Sequence, residues 1–330
     1  MVEEKRYQKI LRPVVVVGAG VIGLTTAVVL QEAGYPVVIW TKELPQSTTS
    51  ANSGAIWGPF LSKIDNRVLQ WSFETCGFLT ELAAVPGTGV ELVDGVLAAD
   101  FEEPTPEWIK QLAGSADCNP ESLPKRYICG WTYRVPIIDM PVYLEYLQNR
   151  FNSAGGSLVQ HHVESLDESR ELADFVIVCA GMGARELMND DTLTPSKGQL
   201  VVLTNPGIAR FFGERGDGLE LTYILPQGQQ VVLGGTAESG SDSLEPDPVL
   251  LNQIVLRAIE VEPRLAEART LGYRVGIRPV RPTVRLEAET LPSGQRVIYN
   301  YGHGGSGVSL SWGCAYAVKD ILTGLPPQNG

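Results

Sequence analysis

Six residues close to the start of the chain, Gly18-Ala19-Gly20-Val21-Ile22-Gly23, have the types and spacing to hold a diphosphate. Gly18 suits a tight turn, Gly20 lets a phosphate approach the backbone, and Gly23 lets a helix pack closely on a strand. A phosphate held there sits on the positive end of the helix that follows. A second chemically dense stretch is Ser47-Thr48-Thr49-Ser50-Ala51-Asn52-Ser53-Gly54-Ala55. Its hydroxyls and unblocked backbone amides suit a pyrophosphate and a flat ring system at short range. A third, Cys179-Ala180-Gly181-Met182-Gly183-Ala184, follows an apolar strand and gives a second close glycine approach. It can reach the far end of a long dinucleotide. A fourth glycine loop, Gly302-His303-Gly304-Gly305-Ser306-Gly307, precedes the last helix.

The elements that position these loops are legible around them. Pro13 precedes four valines, a run apolar on both faces and too short for a helix, which predicts a central parallel strand. Leu24 to Ala33 follows as a helix closed by Gly34, and Val37 to Thr41 as a second strand. Together they form a strand, helix and strand of about thirty residues, a Rossmann-like unit. The acid that such units carry after the second strand is missing: Trp40-Thr41-Lys42-Glu43 offers only Glu43, one or two residues late, so the ribose contact is unassigned.

Further along, helices are expected over Asp65 to Leu82, in a proline-containing region before Arg134, over Asp139 to Ala154 with Asp139 as cap, and from Asp247 to Val261. Strands are expected at Val90 to Ala99, Ser157 to Val163, Phe175 to Val178, Leu200 to Leu203, Thr222 to Leu225, Gln230 to Leu233 and Arg296 to Asn300. The fold class is therefore α/β with an α+β second lobe, a Rossmann-like domain interleaved with a mostly antiparallel one. Residues 1-60, 139-198 and 283-330 form the cofactor lobe, and residues 61-138 and 199-282 the substrate lobe.

Composition narrows the partners. The 330 residues carry 38 acidic against 26 basic side chains, a net charge of -12, with no basic patch, which argues against nucleic acid. No apolar run reaches the roughly 18 residues of a membrane helix, and no signal peptide opens the chain. Five scattered cysteines and three histidines give no metal-ligand spacing, so no metal is expected. A cytoplasmic protein acting on small molecules is the expectation, supported by an ending, Pro327-Gln328-Asn329-Gly330, unlike the Ser-Lys-Leu peroxisomal signal.

Three segments together resemble one family. They are Val14 to Leu24, Gly276-Ile277-Arg278-Pro279-Val280-Arg281-Pro282, and Asn300-Tyr301 followed by the glycine loop 302-307. The family is the flavin-dependent D-amino acid oxidases, including the D-aspartate oxidases, within the glutathione-reductase-type FAD proteins. The resemblance implies an extended FAD. Gly18, Gly20, Val21, Ile22 and Gly23 would hold the pyrophosphate, with Thr48, Thr49 and Ser50 beside it and Val163 at the adenine. Gly54, Ala55 and Ile56 would lie beside the flavin, Gly181 near it, and Gly304, Gly305, Gly307, Val308 and Ser309 at its pyrimidine end.

The resemblance also implies that Arg278 clamps a substrate carboxylate, with a planar guanidinium fork suited to the task. Tyr223 would share that carboxylate, and the Gly305 carbonyl would accept from the amine. Arg281 and Arg285 are read as structural, and His303 as a loop-organising residue, not a base. The implied reaction is hydride transfer from a D-amino acid to FAD. It gives a 2-oxo acid and ammonia, and dioxygen returns the flavin to its oxidised state with hydrogen peroxide formed. Members are commonly homodimers.

Phe60, Ser306 and Glu220 bear on substrate choice. Phe60 stands where D-aspartate oxidases typically carry a histidine, Ser306 gives extra room, and Glu220, in the short Gly216-Asp217-Gly218-Leu219-Glu220 stretch, would repel an acidic side chain. These favour neutral or basic D-amino acids, while Arg210 and Arg215 could reverse the preference. Glycine or sarcosine oxidases, D-aspartate oxidases and flavin dehydrogenases using another acceptor share the fold and stay open.

Overall fold

A computed structural model describes residues 12-59, 65-216, 220-292 and 294-324. Phe60 and the centre of the 216-220 stretch lie outside them. The strands, in chain order, are β1 (Val14–Val17), β2 (Val37–Thr41), β3 (Ala55–Ile56), β4 (Val90–Ala99), β5 (Ala116–Asp117), β6 (Cys129–Ile138), β7 (Ser157–Gln160) and β8 (Phe175–Val178). They continue with β9 (Thr194–Thr204), β10 (Phe211–Arg215), β11 (Tyr223–Gln227), β12 (Gln230–Gly234), β13 (Glu238–Ser239), β14 (Thr270–Thr290) and β15 (Arg296–His303). The hydrogen-bonded order is β3-β6-β4-β10-β11-β12-β9-β14-β15-β8-β1-β2-β7, with β5 and β13 attached at the side.

The four valines of β1 are fully buried, or nearly so, because parallel strands flank both edges: Val14 lies opposite Val37 of β2 and Phe175 of β8. β7 and β15 extend this parallel set. Helices cover its faces. Val21–Glu32 is buried continuously from Val21 to Leu30, so it runs through the core instead of along the surface. It packs on Gly307–Thr323 and Met140–Ser153, and Asn66–Leu82 packs on Gly307–Thr323 from the other side. From β9 outward the pairing is antiparallel apart from the β4–β10 contact.

β14 joins the two parts of the sheet. Its first half pairs with β9, placing Arg278 opposite Ser196, and its second half pairs with β15 from Arg285 onward, with a register shift between Val280 and Arg285. Sequence reading missed β14 because two prolines argue against a central strand. The ladder tolerates Pro279 because its opposite residue is Pro195, so two missing donors fall at one place.

Further differences concern single elements. β6 and β10 were not anticipated, nor were the two-residue strands β3, β5 and β13; β7 ends at Gln160 and not at Val163, and the proline-containing region, expected to be helical, holds β5, the start of β6, the one-turn helix Glu107–Lys110 and a short 3-10 turn. Asp139 occupies the cap position of Met140–Ser153, but its side chain makes no capping bond; it accepts from Gln230 Nε2 at 3.2 Å instead. Asp65 and Asp247 do cap their helices, accepting from Val68 N at 2.9 Å and Val249 N at 2.8 Å.

Arg281 and Arg285 tie the break in β14 to its neighbours. Arg281 Nε donates to Asp190 Oδ2 at 3.0 Å, the Tyr301 hydroxyl donates to the same oxygen at 2.9 Å, and Arg285 lies 3.8 Å from the Tyr299 ring centre. Burial raises the Asp190 pKa, but hydrogen bonds from Thr192, Tyr301 and Arg281, with the Arg281 charge, outweigh it and bring the group down to about 2. A depressed carboxylate pKa stabilises the fold above the unfolded value near 3.8, and that contribution fades as pH falls from about 4 through about 2. Asp190→Asn is expected to cost about 2 kcal/mol at pH 7. Thermal unfolding across pH should show the gap from wild type narrowing below pH 4; a constant gap would contradict the assignment.

Candidate active site

The groove begins where β1 ends. Gly18 has φ +109°, and a Cβ there would lie 2.5 Å from the Cys179 carbonyl oxygen at the end of β8. A Cβ at Gly23 would overlap the carbonyl oxygen of Gly18. The first turn of Val21–Glu32 is thus pressed onto its own entry loop. Gly20 caps this helix without a side chain, and Val21 N–H donates to Ser50 Oγ at 3.0 Å, so the hydroxyl-rich stretch meets the helix start. The Thr48 hydroxyl donates to Pro45 O at 2.7 Å within its own turn, and Thr49 is exposed on the flank of β14 at Gly276.

The last helix brings a second N-terminus to the same place. Its cap residue Ser306 makes no side-chain bond, and a Cβ at Gly307 would touch Val21 and Ile22 at 3.9 Å. Gly181 and Gly304 both have positive φ, +56° and +53°. Val163 is buried beside Val15 and Val17. Gly54 precedes β3, where Ala55 and Ile56 pair with Ile138 and Ile137, and Gly58 N–H donates to Ser309 Oγ at 3.1 Å, stitching this stretch to the last helix beside Val308.

These residues fit a long dinucleotide. Two helix N-termini converge on one groove beside bare glycine backbone, and two polar atoms of the 302-307 loop, His303 Nε2 and Ser306 Oγ, are buried without a hydrogen-bond partner among the described residues. Burial holds His303 at a pKa of about 3, so its ring is neutral at working pH, as a loop-organising residue requires. After β2, Lys42 and Glu43 are exposed, and the Glu43 carbonyl accepts from Thr41 Oγ1.

Arg278 belongs to β14, and its Nη1 donates to Thr236 O at 2.8 Å. Among the described residues no carboxylate lies within ion-pair distance of it. Two other arginines are paired, Arg215 with Glu103 and Arg257 with Glu220, each at 2.7 Å. Arg210 is exposed. Tyr223 opens β11, its ring packed between Gly54 and Gly234-Gly235. Burial raises its pKa, with the nearby Arg278 charge opposing, so the phenol stays protonated and able to donate. A Cβ at Gly305 would lie 3.5 Å from Arg278 Cδ, so the loop and the arginine are neighbours.

Glu220 does not present a free charge to a substrate, contrary to the expectation from sequence. Its carboxylate is engaged by Arg257, whose Nη2 also reaches the Gly235 carbonyl at 3.3 Å, so its charge is compensated and no longer speaks against an acidic substrate. Sequence reading also passed over Gly198 and the segment Gly234-Gly235-Thr236, which contact Arg278 and Tyr223 directly. A glycine inside a strand, which often marks a close approach, was the available signal.

Residues 13–321 match the family of FAD dependent oxidoreductases abbreviated DAO. The chain belongs to that family. Within this FAD-dependent oxidoreductase family, the chain is 44% identical over 308 residues to a protein of Rubrobacter xylanophilus named D-amino-acid oxidase, covering 93% of this chain and 94% of that one. It is 43% identical over 312 residues to a D-amino-acid oxidase of Streptomyces coelicolor, covering 94% and 96%. The solved structure of glycine oxidase from Geobacillus kaustophilus superposes with a TM-score of 0.79 over 97% of this chain and 96% of that one, at 19% identity, which speaks for the shared fold alone. No helix among the described residues is long and apolar enough to cross a membrane.

Proposed function

We propose that this FAD-dependent oxidoreductase is a D-amino acid oxidase that takes neutral or basic D-amino acids. The observation that carries the reading is Arg278, a cation with no carboxylate partner among the described residues, next to the half-buried Tyr223 and the Gly305 backbone. Such an arrangement asks for a small carboxylate with an amine beside it. FAD, when bound, supplies the acceptor for the electron pair leaving the substrate α-carbon.

The chain's own contribution is orientation. Arg278 takes the carboxylate through its guanidinium fork, Tyr223 donates its hydroxyl to the same group, and the Gly305 carbonyl accepts an amine N–H, which fixes the amine lone pair relative to the α-carbon. Burial holds His303 far below the ordinary imidazole pKa, which makes it a weak base, so no proton transfer at the reacting carbon is assigned to it. The released imino acid hydrolyses to a 2-oxo acid and ammonia, and dioxygen is the electron acceptor, giving hydrogen peroxide.

The names of the two relatives support the amino acid class, and the absence of a histidine at Phe60 supports neutral or basic side chains. The interleaved division into residues 1-60, 139-198 and 283-330 against 61-138 and 199-282, a homodimer and a cytoplasmic location belong to the same proposal. Ser306 and Phe60 would shape the side-chain end of the substrate site, and Thr48, Thr49 and Ser50 the diphosphate side of the cofactor.

The test is an anaerobic absorbance titration with D-amino acids, their L-enantiomers and glycine. Bleaching of the flavin bands by D-amino acids, reversed in air with peroxide formed, supports the proposal. Bleaching by glycine or sarcosine alone moves it to the sister oxidase activity, and bleaching that air does not reverse points to a dehydrogenase. A Tyr223→Phe variant is expected to raise KM about tenfold, the worth of one hydrogen bond to a carboxylate, with kcat within about threefold of wild type. Steady-state kinetics that show kcat alone falling would place the hydroxyl in the chemical step instead.

A further inference from the structure

We propose that Gly198, inside β9, is a positioning residue for substrate carboxylate binding, and that together with Gly234-Gly235-Thr236 it holds Arg278 and Tyr223 in their working geometry. The proposal rests on Arg278 and Tyr223 being the carboxylate clamp. The β9–β14 register puts Gly198 opposite Gly276 and Ser196 opposite Arg278, so Arg278 is a diagonal neighbour of Gly198. The three atoms nearest to a Cβ at Gly198 would all belong to one group: Nη2, Cζ at 2.5 Å and Nη1 at 2.6 Å of Arg278. The guanidinium therefore rests on bare strand backbone, and every side chain larger than hydrogen would take its space.

One edge of the guanidinium is then fixed by the Nη1 bond to Thr236 O. Thr236 is itself held, buried at 3% exposure with its Oγ1 accepting from Gln199 N–H at 3.1 Å, the residue next to Gly198. Nη2 and Nε make no hydrogen bond to the described residues, which leaves a fork for a carboxylate. Immediately before Thr236, Gly234 and Gly235 seat the other clamp member: a Cβ at Gly234 would lie 2.5 Å from Tyr223 Cε2, and one at Gly235 would lie 3.0 Å from its hydroxyl oxygen. One short segment thus touches both side chains. Ordering a long arginine in advance lowers the cost of closing it on a ligand, so the seat should act on binding more than on the chemical step.

The experiment compares wild type, Gly198→Ala, Arg278→Ala and the double variant, each loaded with FAD. It measures flavin content, melting temperature, propionate binding by calorimetry, and KM and kcat for D-alanine. Propionate has the carboxylate without the amine. Gly198→Ala is expected to keep its flavin and raise both the propionate Kd and KM about tenfold or more, with kcat changed less than about threefold. In the Arg278→Ala background the same substitution should change neither binding nor melting temperature, because the group it displaces is gone. Should Gly198→Ala alone fail to fold, the double variant is expected to fold like Arg278→Ala, and its failure would overturn the proposal. Unchanged propionate binding in Gly198→Ala, or an equal penalty in both backgrounds, would also overturn it. A wild type that neither binds propionate nor oxidises D-alanine would instead sink the functional reading beneath it.

Discussion

Replacing Arg278 with alanine is expected to lower kcat/KM for D-amino acids by on the order of 10² to 10⁴-fold, the loss expected when one side of a charge-assisted carboxylate pair is truncated. Most of the loss should appear in KM, because the guanidinium binds a group that does not itself react. The variant should keep its flavin: Arg278 makes one hydrogen bond to the described protein, to Thr236 O, and no ion pair among the described residues, so its removal leaves no carboxylate stranded. Arg278→Lys should recover little, since an ammonium keeps the charge and loses the planar fork. Kinetics together with flavin content decide the matter. A colourless variant would place Arg278 in cofactor binding, and a fully active one would remove it from the site.

The second large effect is expected at Gly23. Its missing Cβ is where the Gly18 carbonyl oxygen sits, a backbone atom that no side-chain rotation can move. Gly23→Ala must therefore push the first turn of Val21–Glu32 away from the Gly18 loop, shifting the N–H groups that the diphosphate needs. FAD affinity is expected to fall by on the order of 10²-fold or more, since several hydrogen bonds to a charged group are misplaced together. The purified variant should be nearly colourless, with a lower melting temperature that added FAD raises only weakly. A variant purified with a full complement of flavin would show that the groove does not hold the diphosphate at this turn.

How much of this was legible in sequence follows from where the information lies. The first strand, turn and helix can be read because four valines, three glycines and a helical run are consecutive, and every contact that matters is local. The helix starts at Asp65 and Asp247 were legible for the same reason. Asp139, read as a cap, misled, because its carboxylate is taken by Gln230, 91 residues away. Glu220 misled in the same fashion, its partner Arg257 lying on a distant helix. Gly198 was invisible because its importance depends on the β9–β14 register, a pairing between segments about eighty residues apart. β14 was hidden by prolines that are acceptable only because another proline faces one of them.

The sheet order carries a consequence for how the protein is made. β1 is made before the strands it pairs with, yet one of its edges belongs to β8, about 160 residues later, and the next strand outward is β15, about 280 residues later. The glycine loop after β1 also leans on Cys179 and meets a helix that begins at Gly307. At roughly 5–20 residues per second, the nascent amino-terminal segment waits on the order of tens of seconds for those partners. Through that interval its run of valines has an unpaired edge, a target for holdase chaperones and for aggregation. FAD can be captured only once the segment from Gly307 has been made, so flavin supply late in synthesis of this region, more than early in it, should govern the yield of folded enzyme.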